Sequence, residues 1–85
     1  MDDYTTMALL EELAYRLGIQ IRYEKIRDED SVGSGGLCRF KGKDVMLVDS
    51  RATTKDKIQT LVKALKHFDL DNIYVRPAIR ELLER

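Results

Sequence analysis

A run of four apolar residues, Val45-Met-Leu-Val48, lies between Asp44 and Asp49 and constrains the fold more than any other segment. A strand that is apolar at every position is typical of the middle of a sheet, where both faces are covered. Leu37-Cys-Arg-Phe40 precedes this run, and Lys41-Gly-Lys43 separates the two segments. Because glycine adopts the backbone angles of tight turns, the pattern predicts a β-hairpin whose second strand is central.

The first third of the chain predicts a helix followed by a strand. Apolar residues recur at helical spacing from residue 4 to 17, and Gly18 stands where a glycine commonly ends a helix. Residues 19–24 then alternate apolar and polar side chains, which indicates a strand with one buried face. We therefore expect Ile19, Ile21 and Tyr23 to point towards the core.

The rest of the chain predicts a loop and two further helices. The polar segment from residue 25 to 36 is expected to be a loop. Thr53 followed by Asp56 resembles a capping box, and an apolar stripe then continues to Phe68. Pro77 suits the first turn of a last short helix. The predicted order is α-β-β-β-α-α, an α+β fold in which helices pack on a small, mostly antiparallel sheet.

Length and composition predict a single α+β domain, residues 1–85, because so short a chain closes only one core. Cys38 is the only cysteine, which excludes an internal disulfide and favours a reducing, cytoplasmic location. No apolar run approaches the roughly 20 residues that span a bilayer, so we expect no membrane partner. The first residues also lack the basic region of a secretory signal, so we expect none.

Charge is distributed unevenly along the chain, although the net charge is zero. Residues 39–66 carry eight basic and three acidic residues, whereas residues 1–38 carry four basic and eight acidic ones. The basic segment favours anion or nucleic-acid binding, and the two opposite charges favour self-association. An ordinary solvated surface explains the same pattern. The residues assigned to anion binding are Lys41, Lys43, Arg51, Lys55, Lys63 and Lys66.

Four of the five glycines lie between residues 33 and 42, which raises the question of a phosphate-binding loop. A Walker A loop needs two glycines five positions apart, followed by Lys and Ser or Thr. Gly33 is followed at that distance by Cys38, and Gly36 by Lys41, so the motif fails. The dinucleotide fingerprint fails as well, because the segment leads into a strand instead of a helix. The glycines favour a flexible turn, and no cofactor is expected.

The motifs for metal binding and catalysis are incomplete. Asp28 and Asp30 match an EF-hand loop, but Arg39 occupies the position that needs a bidentate Glu. His67 and Cys38 are the only histidine and cysteine, so one chain cannot supply a His/Cys zinc set. A nucleophile and base pair is the alternative for these two residues, which we interpret as structural. We predict no catalytic, metal or cofactor site and no enzyme activity.

The chain has, in order, a predicted first helix, the strand Leu17-Gly-Ile-Gln-Ile-Arg-Tyr23, the hairpin from Gly35 to Arg51 and a helix after Thr53. Over about residues 8 to 68, this order resembles the minimal core of the zincin-like metallopeptidases that cleave phage-type repressors. In that family this helix carries His-Glu-x-x-His, which binds zinc and supplies the base. The matching register is Val62-Lys-Ala-Leu-Lys66, without ligands or base. The resemblance implies a similar scaffold without peptidase activity.

Two functional hypotheses follow from these features. The first is a non-enzymatic interaction module that docks to a protein partner or to itself, because small sheets leave edge strands that must be covered or paired. The alternative is anion or nucleic-acid binding through residues 39–66. The lack of interleaved aromatic residues and the zero net charge count against the alternative.

Overall fold

The computed structural model describes residues 1–26 and 35–85. Both the predicted class, α+β, and the predicted order, α-β-β-β-α-α, are confirmed. Most of the predicted loop, including Asp28, Asp30 and Gly33, lies outside the described residues, and its last two residues, Gly35 and Gly36, belong to a strand instead. The elements are α1 Asp3–Arg16, β1 Gln20–Glu24, β2 Gly35–Phe40, β3 Lys43–Asp49, α2 Thr54–Leu65 and α3 Pro77–Glu84.

The sheet has the strand order β1-β3-β2, so β3 is central, as its apolar run predicted. β2 and β3 form the predicted antiparallel hairpin, with Phe40 opposite Lys43. β1 pairs with β3 in parallel, with Gln20 opposite Val45. The sheet is therefore mixed, and the expected antiparallel pairing holds only for the hairpin. β1 and β2 lie on opposite sides of β3 and do not pair with each other as a hairpin. β1 can therefore run parallel to β3.

α1 begins and ends where the sequence places its signals. The Asp2 side chain accepts a hydrogen bond of 2.7 Å from the Thr5 N–H, which satisfies a free donor of the first turn. Gly18, at φ +79°, turns the chain out of the helix and into β1. This short turn sets α1 directly against β1. The buried residues of α1 are Thr6, Leu10, Leu13 and Ala14.

α2 begins at the predicted cap, where the Thr53 hydroxyl accepts a hydrogen bond of 3.1 Å from the Asp56 N–H. The helix ends at Leu65, earlier than the apolar stripe predicts. The Phe68 N–H donates to the Leu65 carbonyl, and such a tighter bond is typical of a closing last turn. Phe68 still packs against the core from outside the helix.

The core lies between one face of the sheet and the helices. Ile19 is buried and Ile21 packs against the core, as predicted, whereas Tyr23 is 38% exposed. α3 packs on α1 and α2. No helix in the described part of the chain is long and apolar enough to cross a membrane. The largest fully buried side chains are those of Leu10, Met46, Val48, Leu61, Leu65 and Ile79.

Candidate interaction surface

The central strand β3 presents two different faces. Met46 and Val48 belong to the hydrophobic core that the helices cover. Val45 and Leu47 alternate with them and therefore point to the opposite face of the sheet. Val45 is buried and Leu47 is half-buried, yet neither belongs to that core. We call this second face, with Cys38, Phe40, Val45 and Leu47 on it, the open face.

β2 supplies the outer part of the open face. Cys38 lies opposite Val45, and Gly36 lies opposite Leu47. Since glycine has no side chain, Leu47 has no cover from the neighbouring position on β2. Phe40 lies at the other end of the strand and is 60% exposed. The open face therefore carries an exposed aromatic ring and, four residues away, a glycine opposite an apolar side chain.

The hairpin turn determines which backbone groups of β2 face outwards. Lys41 and Gly42 have φ values of 52° and 77°, as a two-residue type I′ turn requires. Such a turn joins the carbonyl of Phe40 to the N–H of Lys43. Hydrogen-bonded positions alternate along an antiparallel strand, so Cys38 also bonds to β3. The N–H and C=O groups of Leu37 and Arg39 then point away from the sheet.

We call these outward groups, together with the side chains of Leu37 and Phe40, the β2 edge. Among residues 1–26 and 35–85, no strand lies beyond β2. The Leu37 side chain is 37% exposed on the helix side of the sheet, opposite Met46. An open strand edge with exposed apolar side chains is a template for pairing with another strand.

Arg39 is the only charged side chain of β2, and it folds back onto its own hairpin. Its Nη1 lies 3.3 Å from Oδ1 of Asp44, and its Nη2 donates to the Gly42 carbonyl at 3.1 Å. Strand edges are often protected from pairing by charged side chains. Here the guanidinium is held towards the turn, which leaves the centre of the β2 edge accessible.

Three of the six residues assigned to anion binding lie on or beside α2. Lys55, Lys63 and Lys66 are exposed, and their spacing places them on one side of the helix axis. The Nζ of Lys66 donates a hydrogen bond of 2.5 Å to the carbonyl of Arg85. These side chains point into solvent from the helix layer.

The other three assigned cations belong to the sheet layer. Lys43 lies opposite Phe40 on the open face, and the Nζ of Lys41 is 5.4 Å from the centre of the Phe40 ring. Arg51 follows β3 at the far end of the strand, where its Nη2 donates to the Ile26 carbonyl at 2.7 Å. The structure thus places the hairpin lysines and the α2 lysines on opposite sides of the domain. Their assignment to anion binding stays a prediction.

Asp49 and Arg51 close the turn that follows β3. The Arg51 N–H donates to Oδ1 of Asp49 at 3.0 Å, and the Arg51 Nε lies 3.4 Å from the same oxygen. The backbone hydrogen bond is the main reason that the pKa of Asp49 falls below its ordinary value, and the guanidinium adds to the effect. The carboxylate therefore stays ionised and ends the open face with a negative charge.

The histidine and the cysteine lie in different surroundings. Cys38 is half-buried on the open face, and His67 is exposed just after α2. Within the described ranges, no three His, Cys, Asp or Glu side chains are grouped so that they could hold a metal ion. In the register that the zincin-like family uses for its motif, Val62 packs in the core and Lys66 faces solvent.

Titratable side chains also meet in a shallow pocket between α1, β1 and α2. The Tyr23 hydroxyl donates to Oε2 of Glu11, and the Nζ of Lys57 lies 5.7 Å from the centre of the Tyr23 ring. Burial, and then the bond to Glu11, raise the pKa of Tyr23. The phenol keeps its proton and donates to Glu11, so these contacts hold β1 against α1 and α2. The pocket is lined by Tyr4, Met7, Glu11, Tyr23, Thr54 and Lys57.

Sequence reasoning placed Phe40 in a strand but did not identify it as part of a surface. The segment Leu37-Cys-Arg-Phe40 does not alternate cleanly between apolar and polar residues. Counting outward from the turn supplies the missing signal, because Phe40 must share a face with Lys43. A lysine on that face indicates that the face meets solvent.

Comparison with known proteins gives no relative for this surface. No protein-family model, curated protein or solved structure matches the chain. The resemblance to zincin-like metallopeptidases therefore stays a prediction.

Proposed function

We propose that this chain is a protein-interaction module, without catalysis, that docks through the β2 edge and the adjoining open face. One observation carries the proposal. β2 ends the sheet with outward backbone groups at Leu37 and Arg39, and Phe40 beside them is 60% exposed.

A partner strand satisfies both features at once. Backbone hydrogen bonds to the outward groups of β2 supply a ladder, and alternate side chains supply selectivity. Full burial of a Leu or Phe side chain contributes about 1.5–3 kcal/mol, so covering the exposed parts of Leu37 and Phe40 favours docking. Arg39 does not block this approach, because it is bonded to Asp44 and Gly42.

Anion or nucleic-acid binding has weaker support. A phosphate backbone needs cations that follow one continuous surface. Lys43 lies on the open face, whereas Lys63 extends from the helix layer on the other side of the sheet. Arg51 is already bonded to Asp49 and Ile26.

Two substitutions test the proposal without touching the core. Leu37→Pro removes one outward N–H and leaves the β2–β3 ladder intact, because proline is tolerated on the free side of an edge strand. Phe40→Ser removes the exposed ring. Tyr15→Ser is the matched control, since Tyr15 is an aromatic residue that is 81% exposed on α1.

Association is measured by sedimentation of the pure protein and by quantitative capture of partners from source cells. We expect Leu37→Pro and Phe40→Ser to reduce association at least tenfold, with unchanged circular dichroism, and Tyr15→Ser to have no effect. Wild-type association that survives both edge substitutions would contradict the proposal. Wild-type protein that associates with nothing in either measurement would contradict it equally.

A further inference from the structure

We infer that the occupant of the β2 edge is a second copy of this chain, paired antiparallel about Cys38; this inference rests on the proposed function. In this register Cys38 faces Cys38 of the second copy, Leu37 faces Arg39, and Gly36 faces Phe40. The result is a continuous six-stranded sheet, in the order β1-β3-β2-β2-β3-β1, with the helices of both copies on the same side.

The backbone of β2 limits the registers that are available. Residues directly opposite in an antiparallel pair point to the same face, so the twofold axis must pass through one residue. An axis at Arg39 sets two guanidinium groups opposite each other, which is destabilising. An axis at Leu37 sets Phe40 opposite position 34, beyond the first residue of β2, Gly35. An axis at Cys38 pairs every residue from Gly36 to Phe40.

The shape of the open face fits this register. Phe40 is 60% exposed, and Gly36 places no side chain beside the half-buried Leu47. With the axis at Cys38, the Phe40 ring of one copy lies across Gly36 of the other and reaches Leu47. An aromatic ring over a strand glycine is a known means of stabilising a sheet at that position. The symmetry provides this contact twice.

Charge fits the same register. The row of residues across the sheet that contains Phe40 of one copy continues into Gly36, Leu47 and Arg22 of the other. The turn residue Lys41, one position further on, then lies towards the end of the second copy's β3, where Asp49 projects on the same open face. Each copy therefore brings Lys41 towards Asp49 of the other, where its charge adds to the ion pair that Asp49 makes with Arg51.

The predicted interface is small. β2 has six residues, so the shared edge is about 20 Å long. Such a contact falls below the roughly 1,200 Å² that stable complexes bury, which predicts a reversible dimer with a dissociation constant in the micromolar range. Lys41 and Asp49 contribute charge attraction, so the dimer should weaken as salt increases.

Cys38 reports on the register directly. Cα atoms of a pair that is not hydrogen-bonded lie about 4.5 Å apart in an antiparallel sheet, which is within the range for a disulfide. Since Cys38 is the only cysteine, any disulfide dimer joins Cys38 to Cys38. Diamide is the oxidant: it accepts two electrons and two protons as the two thiols form one S–S bond.

The experiment uses the full chain, first reduced and then treated with diamide. We expect the reduced protein to sediment as a concentration-dependent dimer and to form the disulfide at least tenfold faster than the double variant Cys38→Ser/Arg39→Cys. In that control the two thiols lie about 8 Å apart and on the other face of the sheet. Phe40→Ser should slow the disulfide at least tenfold, and Tyr15→Ser should not.

The outcomes distinguish this inference from the proposed function. A reduced dimer in which Cys38 forms its disulfide no faster than the relocated thiol of the double variant overturns the register. A reduced chain that stays monomeric up to about 1 mM overturns pairing between copies. In both cases the proposed function stands if Leu37→Pro and Phe40→Ser still abolish capture of a partner, and it fails if they do not.

Discussion

The Tyr23 hydroxyl donates a hydrogen bond of 2.5 Å to Oε2 of Glu11, which joins β1 to α1. Tyr23→Phe removes this bond and leaves the ring in place. Because Tyr23 is 38% exposed, we expect the free energy of unfolding to fall by only about 0.5–1 kcal/mol. Urea unfolding measures the difference. Tyr15→Phe, at a hydroxyl on the exposed surface of α1, is the control and should change little.

The raised pKa of Tyr23 predicts a dependence on alkaline pH. The folded protein holds this phenolic proton more tightly than the unfolded chain, whose ordinary pKa is 10.0. The resulting stability is fully present below pH 10 and is lost as pH rises through the folded-state pKa. In an absorbance titration at 295 nm, we expect a late component in which Tyr23 ionises well above its ordinary pKa of 10.0. The late component should vanish in Tyr23→Phe, and its persistence there would contradict the assignment.

The lowered pKa of Asp49 predicts that stability depends on pH in the opposite direction. Its pKa is lowered mainly by the Arg51 N–H, so its contribution is present above the ordinary value of 3.8 and is lost as pH falls through the lowered value. Asp49→Asn should therefore be less stable than the wild type at pH 7, and the difference should shrink as pH falls through the lowered pKa of Asp49. Chemical unfolding from neutral to acidic pH measures it. A difference that stays constant as pH falls would show that the charge is not responsible.

Substitutions at the turn residues Lys41 and Gly42 should change stability only through the backbone conformation of the turn. A Cβ at Gly42 would meet no atom within 4 Å, so Gly42→Ala tests only the cost of a positive φ for a residue with a side chain. We expect a loss of about 1 kcal/mol. Lys41→Asn should stabilise the hairpin, because asparagine tolerates the left-handed conformation better than lysine. Thermal unfolding of both variants checks the prediction, and changes of equal sign would refute it.

Nucleic-acid binding gives a prediction that separates the two functional hypotheses. Since the hairpin lysines and the α2 lysines lie on opposite sides of the domain, we expect labelled DNA and RNA to show no saturable binding at physiological salt. Fluorescence anisotropy at low and physiological salt measures this. Tight binding that is lost on Lys63→Glu/Lys66→Glu, with a steep dependence on salt, would favour the alternative.

The sequence predicted the parts of the fold that depend on local pattern. The apolar run from Val45 to Val48 identified the central strand, and Gly42 identified the hairpin turn. Alternation in residues 19–24 indicated which side chains of β1 face the core. It carries no information about the neighbouring strand or its direction, so the parallel pairing was not predictable.

The interaction surface was predictable only in part. An unpaired edge follows from any small open sheet, and the interaction hypothesis rests on it. Which strands form the edges depends on the strand order, and in this sheet β1 and β2 both flank β3. The exposure of Phe40 depends on the position of the helices, which pack on the face that carries Met46 and not on the face that carries Phe40. Neither property is a local feature of the sequence.

The parallel pairing of β1 with β3 also predicts the order in which the strands pair during folding. The β2–β3 hairpin closes through a two-residue turn, whereas Val45 follows its β1 partner Gln20 by 25 positions. Closing the longer loop costs more chain entropy, so local contacts form first and β1 docks afterwards. Substitutions in the hairpin should give φ-values near 1 and substitutions in β1 values near 0. A chain whose hairpin forms first presents the β2 edge to its neighbours before its own sheet is complete.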